Sequence, residues 1–254
     1  MRKSSAHEWR VSRAGWDGNS RRLRYCPVPM GAFTTITSAD GFSFAAYRAE
    51  PEGPVRGGVV VIQEIFGVNN HIQSVTDRYA AAGYLAIAPA LFDRAERNVN
   101  LGYGPDDMEA GMGIARGKLD FSLAMADTEA AGNVAAEGGK VGIVGYCFGG
   151  TVAAAAAINC GHVFSASASY YGGGTAGLVG TGTPAIPMIM HYGALDAHIP
   201  MSDVDKVRDA WSDAEVHVYD ADHGFHCDQR ASFSAVPAGI AQARTFRLFA
   251  KHLG

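Results

Sequence analysis

No stretch of this 254-residue chain comes near the roughly 18 uninterrupted apolar residues that a membrane-spanning helix needs, so the sequence offers no such span. Cysteine is scarce. The four present, Cys26, Cys147, Cys160 and Cys227, show neither a CxxC pair nor the spacing of zinc ligands. Their irregular placement argues against a disulfide framework and for reduced thiols in a cytoplasmic setting. An excess of positive charge is also missing: 21 Lys and Arg stand against 25 Asp and Glu, a net charge of −4, which gives no reason to expect a nucleic-acid partner. There is no internal repeat and no low-complexity linker beyond a Gly-rich stretch at 172–182, which reads as a loop. What is abundant is apolar side chain, 48% of residues, enough to build one globular α/β domain around a sizeable core.

The first thirty residues differ from the rest. They hold Arg2, Lys3, Arg10, Arg13, Arg21, Arg22 and Arg24 against only Glu8 and Asp17, with no apolar segment of the kind a secretory signal requires. Three readings fit this composition: a disordered extension, an overextended start with Met30 as the true initiator, or a transit peptide. The domain expected is 31–254.

Within it, apolar alternation at 33–36 and 42–47 around Asp40-Gly41 predicts an antiparallel hairpin whose turn needs positive φ. The period then changes. Strands are expected at 58–63, 84–88, 141–144, 165–170, 186–192 and 215–219, and helices at 72–82, 119–136, 151–158, 202–211 and 238–252. Such alternation implies a mostly parallel sheet covered by helices on both faces, whose ligands bind beyond the carboxyl ends of the strands.

At the end of one expected strand stands Gly145-Tyr146-Cys147-Phe148-Gly149, followed by an alanine-rich helical stretch. A G-x-nucleophile-x-G pentapeptide between strand and helix is the signature of a nucleophile elbow, here with cysteine as the nucleophile; a small buried thiol is the alternative. A thiol is mostly protonated at neutral pH and needs a base or a cation beside it. His223 follows the last expected strand on a loop, whereas His191 and His217 fall within strands and His198 and His226 on other loops. Asp196, after the strand at 186–192, is placed to orient that imidazole, unless it is only a turn or cap aspartate. The order Cys147, Asp196, His223 is the nucleophile, acid, histidine order of the α/β-hydrolase fold. A second oxyanion donor is expected in the loop after 58–63, where the Ile65 N–H would join that of Phe148; Glu64 beside it is either a proton acceptor for the thiol or an ordinary strand-end charge.

Five ordered motifs carry a resemblance over roughly 31–254: Gln63-Glu64-Ile65-Phe66-Gly67 with Asn69, then Asp77-Arg78 with Gly83-Tyr84 and Ala88-Pro89-Ala90-Leu91, the elbow, Gly193 to Asp196 with Pro200, and His223-Gly224-Phe225. On these the chain resembles the dienelactone hydrolase family. The resemblance implies the α/β-hydrolase fold and a Cys147, Asp196, His223 triad. It also implies oxyanion donors at Ile65 and Phe148, a Glu64 that contacts the resting thiol, and no metal or organic cofactor. It further implies opening of a carboxymethylene-butenolide ring to maleylacetate. In the family pattern two arginines receive the substrate carboxylate, a bidentate pairing that guanidinium favours. Arg94 stands at the first position, but Cys227 occupies the second; either Arg230 substitutes or that arm is missing. Phe66, Phe92 and Phe225 suggest a mostly apolar pocket, and Tyr103, in an irregular insert around 101–107, is either a pocket residue or a surface anchor. The expected partner is a small ester or lactone, with no nucleic acid or membrane, and the chain acts as a monomer or small homo-oligomer. The alternatives are a carboxylesterase of neutral esters and a non-catalytic thiol-redox or binding protein on the same fold.

Overall fold

A computed structural model describes residues 31–254; the readings of 1–30, and Cys26 with them, fall outside the described residues. Eight strands form one sheet in the order β1-β2-β4-β3-β5-β6-β7-β8. β1 (Ala32–Thr37) and β2 (Ser43–Ala49) make the expected antiparallel hairpin, and Gly41 in its turn has φ +86°. β2 also pairs antiparallel with β4. Among the later strands every pairing is parallel: β3 (Gly58–Ile62), β4 (Leu85–Pro89), β5 (Val141–Tyr146), β6 (Phe164–Tyr170), β7 (Met188–Gly193) and β8 (Glu215–Tyr219).

The central strands are apolar on both faces because both faces are covered. Val59 and Val61 of β3 point into one core with α1 (Asn70–Ala81) and α7 (Ala235–His252), while Val60 and Ile62 point into the other with α3 (Phe121–Ala135). Fully burying each such side chain contributes about 1.5–3 kcal/mol. The helix α4 (Phe148–Asn159) sends Ala154 and Ala157 to the first core and Ala153 and Ala156 to the second, so its alanine run lets a helix lie close against strands on either side. No described helix is long and apolar enough to cross a membrane.

Two segments differ from expectation. The insert is not irregular throughout: α2 (Pro105–Gly113) runs into a π-helical turn at Ile114–Lys118. Pro105 sits where a missing N–H costs nothing, Asp106 and Asp107 favour the positive end of the helix dipole, and Asp107 Oδ2 accepts the Gly104 N–H at 3.2 Å. The Gly-rich loop at 172–182 contains a short helix, α5 (Thr175–Leu178). The remaining helix, α6 (Met201–Ala210), packs against α5 with Val204 and Val207 buried.

The turn from β5 into α4 is set by close backbone approach. A Cβ added at Gly145 would sit 1.8 Å from the Gly149 carbonyl oxygen, and one at Gly149 would sit 2.5 Å from the carbonyl oxygens of both Ile62 and Gln63. These neighbours are backbone and cannot swing aside. Gly149→Ala is therefore expected to lower unfolding free energy by at least about 2 kcal/mol in urea titration, at the upper part of the overpacking range, or to prevent folding.

Candidate active site

Every residue singled out after a strand arrives at the same edge of the sheet. Cys147 follows β5 with φ 53° and ψ −115°, a left-handed conformation that cysteine adopts only where the surroundings compel it. Its own N–H donates to the Tyr170 carbonyl at 3.0 Å and its carbonyl accepts the Gly150 N–H at 2.9 Å, which clamps the turn from both sides. The thiol is partly exposed and stands at the N-terminus of α4, where the helix dipole favours negative charge; the N–H of Phe148 is among the first four of that helix, which lack intrahelical acceptors. Ile65 lies buried just beyond the end of β3.

His223 and Asp196 are brought together from loops after β8 and β7. Asp196 Oδ2 accepts from His223 Nδ1 at 2.7 Å, while Oδ1 accepts the His198 N–H at 2.8 Å, so the aspartate both ties its own turn and orients the imidazole. Burial alone would push the His223 pKa down, but its hydrogen bonds to Asp196 and to Cys147 and the charges of both raise it to about 10. The imidazole is thus held in its protonated form. Tyr171, which the sequence reading did not single out, follows β6 at φ 39° with its ring 5.1 Å from that of His223. It too stands at a strand's carboxyl end, which was the available signal.

Glu64 is fully buried beyond β3. Its Oε2 accepts the Tyr103 O–H at 3.2 Å, and its Oε1 lies 3.7 Å from Arg230 Nη1. No hydrogen bond among the described residues joins Glu64 to Cys147, so its resting partners are a phenol and a guanidinium. Asn69 fixes this arrangement: its Oδ1 accepts the Ile72 N–H at the start of α1, and its amide donates to Tyr103 Oη at 3.2 Å and to the Leu101 carbonyl at 3.1 Å. Tyr103 is therefore tied into the Glu64 cluster and does not stand on the surface as an anchor. Burial and the Glu64 charge hold its phenol well above the ordinary range, so it acts as a donor. The ring of Phe66 meets that of Tyr103 edge-on at 4.6 Å and lies 6.0 Å from the Arg230 guanidinium.

Two expectations are corrected by these positions. Arg94 does not face the site as one arm of a carboxylate clamp: its Nε and Nη2 donate to Asp127 at 2.8 and 2.7 Å and its Nη1 to Asp40 at 2.8 Å, so each of its nitrogens is engaged in tying the hairpin turn to α3. These two carboxylates hold the guanidinium more firmly protonated than usual. Arg230, by contrast, does reach the Glu64 cluster. Phe66, Phe92 and Phe225, each at most 1% exposed, are packing beneath the site and not its lining. A separate cavity of about 790 Å³ opens at the amino ends of β7 and β8, between Trp211, His217 and Arg244, away from this chemistry.

A mostly parallel sheet with an antiparallel lead-in hairpin, a strained strand-to-helix turn at Cys147 and an acid-histidine pair on later loops defines an α/β-hydrolase fold. Comparison narrows the class: the chain belongs to the dienelactone hydrolase family, whose sequence model matches residues 44–253. A Synechocystis protein named "Putative carboxymethylenebutenolidase" is 37% identical over 233 residues, covering 82% of this chain and 92% of that one. Carboxymethylenebutenolidase 1 of Cupriavidus pinatubonensis is 29% identical over 231 residues, 85% and 94% of the two chains. A crystal structure described as a "Putative Dienelactone Hydrolase" from Klebsiella pneumoniae superposes with a TM-score of 0.72 at 30% identity, covering 87% of this chain and all of that one.

Two outcomes are expected. In histidine NMR titrations, Asp196→Asn should bring the His223 pKa down from about 10. Because the folded value lies above the unfolded value of about 6.5, the stability this histidine contributes is full below about pH 6.5 and is lost as pH rises through the folded pKa; the Tm gap between wild type and Asp196→Asn should narrow over that interval. Arg94→Ala should cost about 3–5 kcal/mol of stability by leaving the fully buried Asp127 carboxylate unpaired, measured by chemical unfolding, with no selective loss of affinity for carboxylate substrates.

Proposed function

We propose that the protein hydrolyses small lactones or carboxylic esters through a Cys147, His223, Asp196 triad, with 4-carboxymethylenebut-2-en-4-olide, opened to maleylacetate, as the substrate type favoured by its family. The observation that carries this reading is the positive-φ turn that presents Cys147 at the head of α4 while an Asp196-bound imidazole stands by to balance its charge.

Chemistry then follows from the residues. The Cys147 thiolate attacks the carbonyl carbon, and the negative charge that moves to the carbonyl oxygen is received by the N–H groups of Phe148 and Ile65. Collapse breaks the ester C–O bond, and the His223 imidazolium gives its proton to the departing oxygen. For a lactone the released enol stays attached to the acyl group. Water activated by the now neutral His223 attacks the thioester, the C–S bond breaks, and the thiolate and imidazolium are restored. Asp196 keeps the imidazole in the tautomer that serves both steps. Arg230 is the available cation for a substrate carboxylate, which would take the place of Glu64 beside it. With Arg94 committed to Asp127 and Asp40, this is a one-armed contact, and that observation favours a second reading in which neutral esters are also accepted.

Turnover of cis-dienelactone and of p-nitrophenyl acetate by wild type, Cys147→Ala and Arg230→Gln tests both. Cys147→Ala is expected to lower kcat at least about a thousandfold on either substrate; full activity would overturn the triad. Arg230→Gln should raise KM for the acid about tenfold or more, by loss of a charge-assisted pair, and weaken the neutral ester less. Hydrolysis of the neutral ester alone by wild type would make the protein a general thiol esterase.

A further inference from the structure

Three side chains converge behind the nucleophile that the proposed hydrolysis does not require as a group: Glu64 beyond β3, His71 in the first turn of α1, and Cys227 in the loop after β8. All three are fully buried. One ligand atom of each lies within 4.8 Å of the other two. Among the described residues, His71 Nε2 and Glu64 Oε1 have no hydrogen-bond partner. A buried polar atom left in that condition costs about 1–3 kcal/mol, and here two of them share one pocket with a thiol.

The surroundings orient these atoms. His71 Nδ1 lies 3.1 Å from Asp228 Oδ1, so a proton on Nδ1 is donated to the carboxylate and the Nε2 lone pair faces inward. An imidazole backed by a carboxylate in this manner is the usual support of a metal-ligating histidine. Tyr103 holds the other oxygen of Glu64, leaving Oε1 as the free donor. Thiolate, imidazole and carboxylate together are a donor set for zinc, and their combined charge of about −2 balances a divalent ion. Metal–ligand bonds of about 2.0–2.3 Å in tetrahedral geometry put ligand atoms roughly 3.3–3.8 Å apart, so closing from the present separations needs side-chain movement of about 1 Å. Arg230, 3.7 Å from Glu64 Oε1, opposes a cation there; its side chain is partly exposed and can withdraw toward solvent.

We propose that Glu64, His71 and Cys227 form a binding site for a borderline divalent ion, Zn²⁺ in the first instance, with water in the fourth position. Binding releases all but one of the waters of the aqua ion as Sγ, Nε2 and Oε1 take the other three positions, and the Cys227 thiol releases one proton to solvent per ion. The site is independent of whether the triad hydrolyses lactones, and an ion there takes Glu64 Oε1 away from its place beside Arg230.

The test uses the full chain stripped with chelator. Zn²⁺ is titrated by calorimetry in two buffers of different ionisation enthalpy, and Co²⁺ is added in parallel for its thiolate charge-transfer absorption. Expected are one equivalent bound with Kd below about 10 μM and about one proton released. A Co²⁺–thiolate band should also appear, and disappear in Cys227→Ser. Affinity should fall at least about a hundredfold in Cys227→Ser and His71→Ala and about 10–100-fold in Asp228→Asn, yet persist in Cys147→Ala. Circular dichroism identifies any variant that fails to fold, and the wild-type cobalt band stands without the variants. Wild-type binding weaker than about 10 μM would overturn the proposal, as would binding lost in Cys147→Ala but kept in Cys227→Ser, which would place the ion on the triad thiol and His223.

Discussion

Cys147 occupies a backbone conformation that costs roughly 1–3 kcal/mol, and the rest of the structure is arranged so that it has no other choice. Glycines on either side let β5, the start of α4 and the end of β3 approach to distances that no side chain would permit, and the Tyr170 carbonyl at the neighbouring strand end holds the Cys147 N–H. The two cores on opposite faces of the sheet press these strands into register, with buried valines and isoleucines alternating between them. Strain at one residue is thus sustained by burial spread over several elements. What it achieves is placement: a thiol lifted clear of the sheet edge and set at the positive end of a helix.

The electrostatics around that thiol divide into two neighbourhoods. On one side Asp196 and His223 form a pair in which burial and ion pairing oppose each other and pairing wins, leaving a cationic imidazole toward Cys147. On the other, Glu64, Tyr103 and Cys227 are kept apart from bulk water; burial and then the Glu64 charge push the Cys227 thiol up to about 11. Tyr171 stands between them and feels the charges of Glu64, Cys227 and Cys147, all of which hold its phenol protonated after burial has done the larger part. Two thiols of one chain, close to the same centre, are therefore given opposite environments.

How much of this could be read from the chain depended on how local each cause was. The elbow, Asp196 and His223 were legible because each follows a strand directly, and the sheet brings strand ends together whatever the loops do. The helix α2 was passed over because glycine, proline and aspartate suggest a loop, although Pro105 with Asp106 and Asp107 is also how a helix begins. Arg94 was misread because its partner Asp127 lies 33 residues away on a helix, and nothing in spacing reveals such a pairing. The His71–Asp228 contact spans 157 residues and was out of reach for the same reason, while Phe66 and Phe92 looked like pocket walls until their burial was seen.

The insert that carries Tyr103 packs through a cluster of its own, in which Ile114, Met108, Met112 and Leu101 close over Ile65, Phe66 and Phe92, apart from the two cores that flank the sheet. The insert is consequently packed by a cluster separate from the two cores that hold the strands in register. Changes to the segment from Leu101 to Lys118 can alter the surroundings of Glu64 while the strands that aim the thiol keep their own packing, so a lineage built on this chain can vary the one and inherit the other.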